Sequence, residues 1–284
     1  MTPNVWSGTG SSLNLRYEFI NQDQPRMGTH NVGVGQIPAH HDEVKTTNRN
    51  YLLTYHHNFD THWSLSTTLP VLDRYHFHIH NHHGTPIPEQ WSFTELGDTR
   101  VVGGYQLSLS GANPQTGNFG FTFGLKLPTG KYTEANADGD IAERSLQPGT
   151  GTTDAILGVN YHRNLPGMNS AWFAQVQTQD AMNSRADFKP GNQFGADIGY
   201  SYNVTTKLGA MLQLNALVKG RDRGAEAEPE ESGGNYVSLS PGLGYAVSGK
   251  ARIYGFVQLP VYQDVNGVQL TADKSVVVGF TSRL

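Results

Sequence analysis

The chain of 284 residues contains no cysteine and little charge. Without cysteine it has no disulfides, no thiolate metal ligands and no thiol nucleophile. Charged residues make up 15% of the chain, against about 25% in a typical soluble domain. The net charge is −4, and Lys and Arg form no long run. Because phosphate binding needs clustered basic side chains, we expect no nucleic-acid partner.

Long apolar stretches are also absent. No run of 18 or more apolar residues occurs, so the sequence predicts no transmembrane helix. The mean hydropathy of −0.46 is that of a soluble protein. A membrane β-barrel gives the same average, however, because its strands alternate lipid-facing apolar residues with polar ones. The first residues, MTPNVWSGTGSS, lack the basic and apolar segments of a signal peptide. We therefore expect either a cytosolic protein or the mature form of an exported protein with an added Met1.

The chain is rich in glycine and aromatic residues, with 33 Gly, 13 Tyr and 12 Phe, and these follow a period of two. In NFGFTFGLKL (118–127), phenylalanine and leucine occupy one face, and small or polar residues occupy the other. Such alternation is typical of a β-strand with two different surroundings. The same pattern predicts twelve strands, at residues 11–21, 44–58, 62–71, 98–109, 118–127, 153–163, 170–179, 193–202, 207–219, 235–246, 251–262 and 272–284.

The predicted connections alternate in length. The short ones are residues 59–61, 110–117, 164–169, 203–206 and 247–250. The long ones are residues 22–43, 72–97, 128–152, 180–192, 220–234 and 263–271. This alternation predicts an all-β fold: a closed antiparallel up-and-down transmembrane β-barrel with short periplasmic turns and long extracellular loops. A soluble β-sandwich or lectin-like domain, which also has one apolar face per strand, is the alternative.

Charged side chains lie almost only on the polar strand faces, which would line the lumen of a barrel. We predict a single barrel domain over residues 11–284, with the N-terminal segment 1–10 folding into the lumen. The slight excess of basic residues predicts a weak preference for anionic or polar solutes. The residues predicted to line the lumen and its constriction are Arg16, Glu18, Arg100, Lys126, Asp154, Asp197, Lys219 and Arg252.

Histidine is concentrated in the first third of the chain. Eleven of the twelve histidines lie between His30 and His83. In an extended HFHIHNHH segment, alternate histidines share one face and lie close enough to bind Zn, Cu or Ni. The candidate ligands are His76, His78, His80 and His82. The simpler interpretation is a solvated polar loop with adventitious metal affinity, and the protein requires no cofactor on either view.

No recognisable catalytic pattern occurs. The GxSxG, GxGxxG and P-loop patterns are absent, and His62 and Ser64 in THWSLST form no known motif. We therefore predict that the protein is not an enzyme.

Several stretches resemble a known family. LGDTRVVGGYQLS (96–108), FGLKLPTGKY (123–132) and LQPGTGTTDAILGVNYHR (146–163) are similar to segments of the MetA-pathway phenol-degradation family of outer-membrane channels. The resemblance covers most of residues 96–284 and not the histidine-rich part. It implies a twelve-stranded monomeric barrel in the bacterial outer membrane, surrounded by lipid and lipopolysaccharide, that passes small molecules, aromatic or hydrophobic compounds among them. The alternative function is a metal-binding or adhesin-like barrel with a plugged lumen, working through its His-rich extracellular loop.

Overall fold

The computed structural model describes residues 9–37, 42–82, 85–108 and 117–284. Within these ranges, no helix is long and apolar enough to cross a bilayer. The described residues form two short 3-10 helices, Pro166–Met168 and Pro229–Glu231, and thirteen strands. The strands are β1 (Gly10–Gly28), β2 (His30–Asn31), β3 (Asp42–Asn58), β4 (Trp63–His82), β5 (Thr85–Leu96), β6 (Thr99–Ser108), β7 (Asn118–Leu127), β8 (Asp154–Leu165), β9 (Ser170–Ala181), β10 (Gln193–Asn203), β11 (Leu208–Lys219), β12 (Gly234–Ala246) and β13 (Ala251–Arg283).

The strands form one closed antiparallel barrel. Eleven of the described strands pair in a ring, which closes where β1 pairs with β13 from Ser12 opposite Arg283 to Gly28 opposite Val265. Strands β2 and β5 lie outside the ring and pair with the ends of β1 and β4. Closure confirms the predicted barrel and excludes the two separate sheets of a sandwich.

The last strand, β13, contributes two arms to the wall. Its first part pairs with β12 and its second part pairs with β1, and both pairings reach Val265. Gln263 Nε2 donates to the carbonyl of Ala272 at 3.1 Å, and Gly267 has a φ of 59°. The chain therefore turns back at Asn266–Gly267, a sequence that favours tight hairpins. With both arms of β13 counted, the wall formed by the described residues contains twelve strand segments, as predicted.

The connections only partly match the prediction. Residues 128–153, 182–192 and 220–233 are long and mostly irregular, as expected. Residues 22–43, 72–97 and 263–271 are not simple loops, because β1 and β4 continue as strands, β5 pairs back onto β4, and β13 includes all of 263–271. A strand beyond the bilayer has water on both faces and needs no apolar side. The period-two signal is therefore lost there although the strand continues.

The two faces of the wall have opposite polarity. Leu157, Ile198 and Leu243 point outward and are 50–57% exposed, whereas Gln213 and Ser240 point inward and are buried. An apolar surface of this kind is stable against lipid and not against water. Near the short turns, the ring centroids of Trp63 and Tyr105 lie 4.7 Å apart and those of Tyr161 and Trp172 5.0 Å apart. These pairs form an aromatic girdle at that end of the barrel.

Candidate functional site in the barrel interior

A buried ionic network forms where β6, β7 and β8 meet the long loops. Lys126 Nζ lies 2.8 Å from Asp98 Oδ2 and 3.2 Å from Asp154 Oδ1. Gln179 Nε2 donates to Asp154 Oδ2 at 2.7 Å. All three charged side chains are less than 10% exposed. The structure thus brings together two of the predicted lumen residues, Lys126 and Asp154, and adds Asp98.

Asp98 also holds the loop between β7 and β8 against the barrel. Its Oδ1 accepts the N–H of Gly130 at 3.0 Å, and its Oδ2 accepts the N–H of Thr150 at 3.0 Å. The hydroxyl of Thr150 donates to Asp98 Oδ2 at 2.9 Å. One carboxylate therefore joins both ends of the loop to Lys126. The ionic network determines where this loop lies over the mouth.

A second group of charges meets across the interior. Arg16 Nε lies 3.0 Å from Glu18 Oε1 on β1. Arg100 on β6 interacts electrostatically with Asp154 on β8 and with both of these β1 residues. Because β3 and β4 separate β1 from β6 in the ring, these charges approach each other through the lumen. They are the best candidates for a constriction.

Asp197 belongs to a ladder of hydrogen-bonded polar side chains on the opposite side of the barrel interior. Its carboxylate accepts from Gln175 Nε2 at 2.7 Å and from Asn215 Nδ2 at 2.5 Å. Ser240 Oγ donates in turn to Asn215 Oδ1 at 2.7 Å. This ladder borders a lumen cavity of about 560 Å³ that Arg16 and Glu18 also line. Four strands, β9 to β12, thus present a continuous hydrogen-bonded inner surface.

The remaining two predicted lumen residues lie elsewhere. Lys219 Nζ lies 3.3 Å from Asp222 Oδ2, next to the loop between β11 and β12. Arg252 lines a smaller cavity of about 180 Å³ near the short turns. The structure therefore does not place all eight charges at one level of the barrel.

The long loops pack on one another over the mouth. The Arg144 guanidinium lies 4.7 Å from the ring centroids of Tyr132 and Phe188, which belong to different loops. Arg74 on β4 donates to the carbonyl of Leu146 at 2.5 Å. Desolvation lowers the pKa of Arg74 to about 10, so it remains a cation at neutral pH. Glu143 and Arg144 also line a vestibule of about 470 Å³ between these loops.

The histidine-rich segment is a hairpin, and only part of it forms a cluster. His76 and His78 are buried, and with Glu43 they form the group of possible metal ligands among the described residues. His80 is exposed and is not in that group. The backbone of His82 ends β4, and its side chain lies outside the described part of the chain. The predicted four-histidine face therefore reduces to two histidines with a glutamate from β3.

An apolar group lies in the interior, in the half of the barrel toward the short turns. Tyr254, Phe256 and Val277 are buried there, with Met211 packed against them. Phe173 lies beside them and lines the same small cavity as Met211 and Tyr254. These apolar side chains lie beside charged ones: Val277 pairs with Glu18 on β1, and Arg252 lines the same small cavity as Tyr254.

The comparisons with known proteins agree with this geometry. The chain matches the profile of the family described as "Putative MetA-pathway of phenol degradation" over residues 42–264, well over half of its length. The chain belongs to this family. No curated protein sequence matches it significantly.

Among solved structures, this member of the phenol-degradation family resembles outer-membrane channels. The COG4313 outer membrane channel from Pseudomonas putida F1 has a TM-score of 0.72 and 13% identity, covering 99% of this chain and 97% of that chain. The CymD monoaromatic hydrocarbon channel has a TM-score of 0.52 and 8% identity, covering 97% and 89%. At these identities the likeness shows the fold, which is that of bacterial outer-membrane barrels.

Sequence patterns missed the inward aromatic residues of this family member. Tyr254 and Phe256 alternate with Ile253 and Val257, so both faces of that strand are apolar, and only Arg252, two residues before Tyr254, marks the lumen face. The signal that could have found them is glycine on the neighbouring strands. A Cβ at Gly279 would overlap the ring of Tyr254; the other such pairs are Gly242 with Phe256 and Gly199 with Phe173.

The charge balance of the lumen also differs from the sequence-based estimate. Asp98 and Asp222 pair with Lys126 and Lys219, and neither carboxylate was counted among the lumen residues. With them, the acidic residues equal the five predicted basic ones in number. Among these ten residues, the excess of basic charge on which the predicted anion preference rests is absent.

Proposed function

We propose that this protein is a passive outer-membrane channel for small uncharged molecules of aromatic or hydrophobic character. It would work as a monomer surrounded by lipid and lipopolysaccharide. Membership of the phenol-degradation family and the channel-like fold support this proposal. The observation that carries it is the inward apolar group of Phe173, Met211, Tyr254 and Phe256 in the half of the barrel toward the short turns.

The side chains that line the lumen suit such solutes. Near the mouth, the charges of Lys126, Asp98 and Asp154 interact with one another, so they would attract neither sign of ion strongly. In the small cavity, the part-exposed ring of Phe173 can stack on a planar apolar solute or meet it edge to face. A sugar of similar size would lose hydrogen bonds with water there and gain few in return.

Uptake by cells with an intact outer membrane tests the proposal. The strain would lack its general porins and express this protein, and uptake of labelled toluene and labelled glucose would be measured. We expect toluene uptake to rise several-fold above that of the same strain without the protein, and glucose uptake to rise much less. An equal rise for both would indicate a general porin. No rise for either would support the plugged, metal-binding or adhesin-like alternative.

Replacing Phe173 by alanine should weaken the preference for aromatic solutes. The ring lies over Gly199 on the neighbouring strand and lines the small cavity. Losing one aromatic contact of about 1 kcal/mol should lower the toluene-to-glucose uptake ratio by about fivefold. Phe121→Ala, which removes an outward-facing ring, is the matched control and should leave the ratio unchanged. Equal ratios in the two variants would argue against a solute path past Phe173.

Replacing Arg100 by glutamine should make the channel prefer cations. Arg100 interacts with charges from both β1 and β8, and removing it would leave the carboxylates of Glu18 and Asp154 in excess. The reversal potential across a planar bilayer with a salt gradient measures this preference. We expect a value near zero for the unmodified protein and a clear shift in the cation direction for the variant. Lys250→Gln, in an exposed short turn, is the control; if Arg100→Gln gives no shift either, Arg100 is not at the constriction.

A further inference from the structure

A polar cluster lies at the outer end of β3 and β4, away from the proposed solute path. Glu43 lies directly opposite His78 in the antiparallel pairing of these strands. His76 precedes His78 by two residues, so both side chains point to the same face. We propose that Glu43, His76 and His78 bind a zinc ion, with Glu143 as the fourth ligand.

The distances fit one tetrahedral ion. His76 Nε2 lies 3.2 Å from His78 Nδ1, and Glu43 Oε2 lies 3.8 Å from His76 Nε2. One ligand atom from each of the three residues lies within 4.8 Å of the others. Zinc bonds of about 2.0–2.1 Å place neighbouring tetrahedral ligands about 3.3 Å apart. Only small side-chain movements are therefore needed to bring the carboxylate into range.

The ring nitrogens that point away from the proposed ion already have hydrogen-bond partners. His76 Nδ1 lies 2.8 Å from Thr46 Oγ1, and His78 Nε2 lies 2.8 Å from Glu89 Oε2. If each of these nitrogens carries its proton and donates it, the lone pairs of His76 Nε2 and His78 Nδ1 face the proposed ion. Such outer partners fix ring orientation and tautomer in metal sites. A carboxylate on the far nitrogen also makes the imidazole of His78 a stronger ligand.

The residues around the proposed site favour a divalent ion, and some of them belong to the loop that lies over the mouth of the barrel. Glu143 Oε1 lies 4.0 Å from His78 Nδ1 and comes from the loop between β7 and β8. The ring of Trp91 lies 4.9 Å from that of His78 and 5.8 Å from that of His76, and its indole N–H donates to the carbonyl of Asp140 in the same loop. A bound ion would therefore fasten this loop to the β4–β5 hairpin. Trp91 covers the site and provides a spectroscopic reporter.

Zinc titration of the folded full-length barrel by calorimetry tests the site. We expect one ion per chain, with His76→Gln and His78→Gln each weakening the affinity at least tenfold. His80→Asn, on the same strand, and His62→Gln, in a turn at the other end of the barrel, are controls that should bind like the unmodified protein. Equal binding by all five proteins, or a loss in His80→Asn as large as in His78→Gln, would overturn the assignment. Heat-modifiable migration in gels would verify that each variant is folded.

A second measurement does not depend on removing a ligand. Glu89→Gln keeps a hydrogen-bond acceptor beside His78 but removes the charge, and should weaken zinc binding by about tenfold. Co²⁺ bound in the same site should quench the fluorescence of Trp91, and added zinc should reverse the quenching. Trp91→Phe should lose this signal and keep zinc binding. Quenching of equal size in Trp91→Phe would show that the ion binds elsewhere and would contradict the proposal.

Discussion

Replacing Lys126 by methionine is expected to lower the free energy of unfolding of the barrel by about 3–5 kcal/mol. The ammonium lies within salt-bridge distance of both Asp98 and Asp154, and all three side chains are almost completely buried. Without the cation, two carboxylates would remain close together and poorly solvated. Breaking a buried ion pair by removing one partner is costly for this reason, even where the intact pair contributes little to stability.

Urea unfolding of the barrel in lipid vesicles, followed by tryptophan fluorescence, measures this effect. Lys207→Met removes an exposed lysine in a short turn and should change stability by less than about 0.5 kcal/mol. Adding Asp98→Asn and Asp154→Asn to Lys126→Met should recover part of the loss, because no unpaired charge then remains buried. A loss below 1 kcal/mol in the single variant would mean that water reaches the two carboxylates when Lys126 is absent.

The membrane-spanning wall could be predicted closely from the sequence. Strand β7 has the predicted bounds, and β9 and β10 begin where predicted. Lipid requires one apolar face and closure requires continuous pairing, so the period-two signal is strong in the bilayer. The signal fails along the outer parts of β4 and β5, where both faces meet water or other loops. Their pairing follows from the hairpin register, which hydropathy does not encode.

The candidate sites could be predicted only in part. Lys126 and Asp154 could be assigned to the interior from the alternation of polar and apolar residues along their strands. Their contact with Asp98, however, depends on how the long loop folds back. His76 and His78 could be identified as possible ligands from their spacing. Glu43 could not, because it lies far away in the sequence and meets His78 only through the β3–β4 register. The alternation along a strand predicts which face a side chain occupies, whereas its contacts with other strands can be predicted only when the pairing register is known.

Adjacent positions in the middle of β9 should respond in opposite ways to the same substitution. Val176 points outward beside Val159 on β8 and Ala196 on β10. An arginine there would face the hydrocarbon, so Val176→Arg should lower the free energy of unfolding in vesicles by about 2–4 kcal/mol. Urea unfolding measures the change, with Gln177→Arg as the matched control.

Gln177 is a suitable control because the wall leaves room beside it. It points into the lumen between Gly158 on β8 and Gly195 on β10, and neither neighbour has a side chain that a longer residue would displace. Gln177→Arg should therefore fold with nearly unchanged stability and shift the reversal potential toward anions, because it adds a charge to an almost balanced lumen. Equal destabilisation by both variants would contradict the assignment of the two faces. A stable Gln177→Arg barrel with no shift in selectivity would place the ion path away from β9, on the side where Arg16 and Arg100 approach each other.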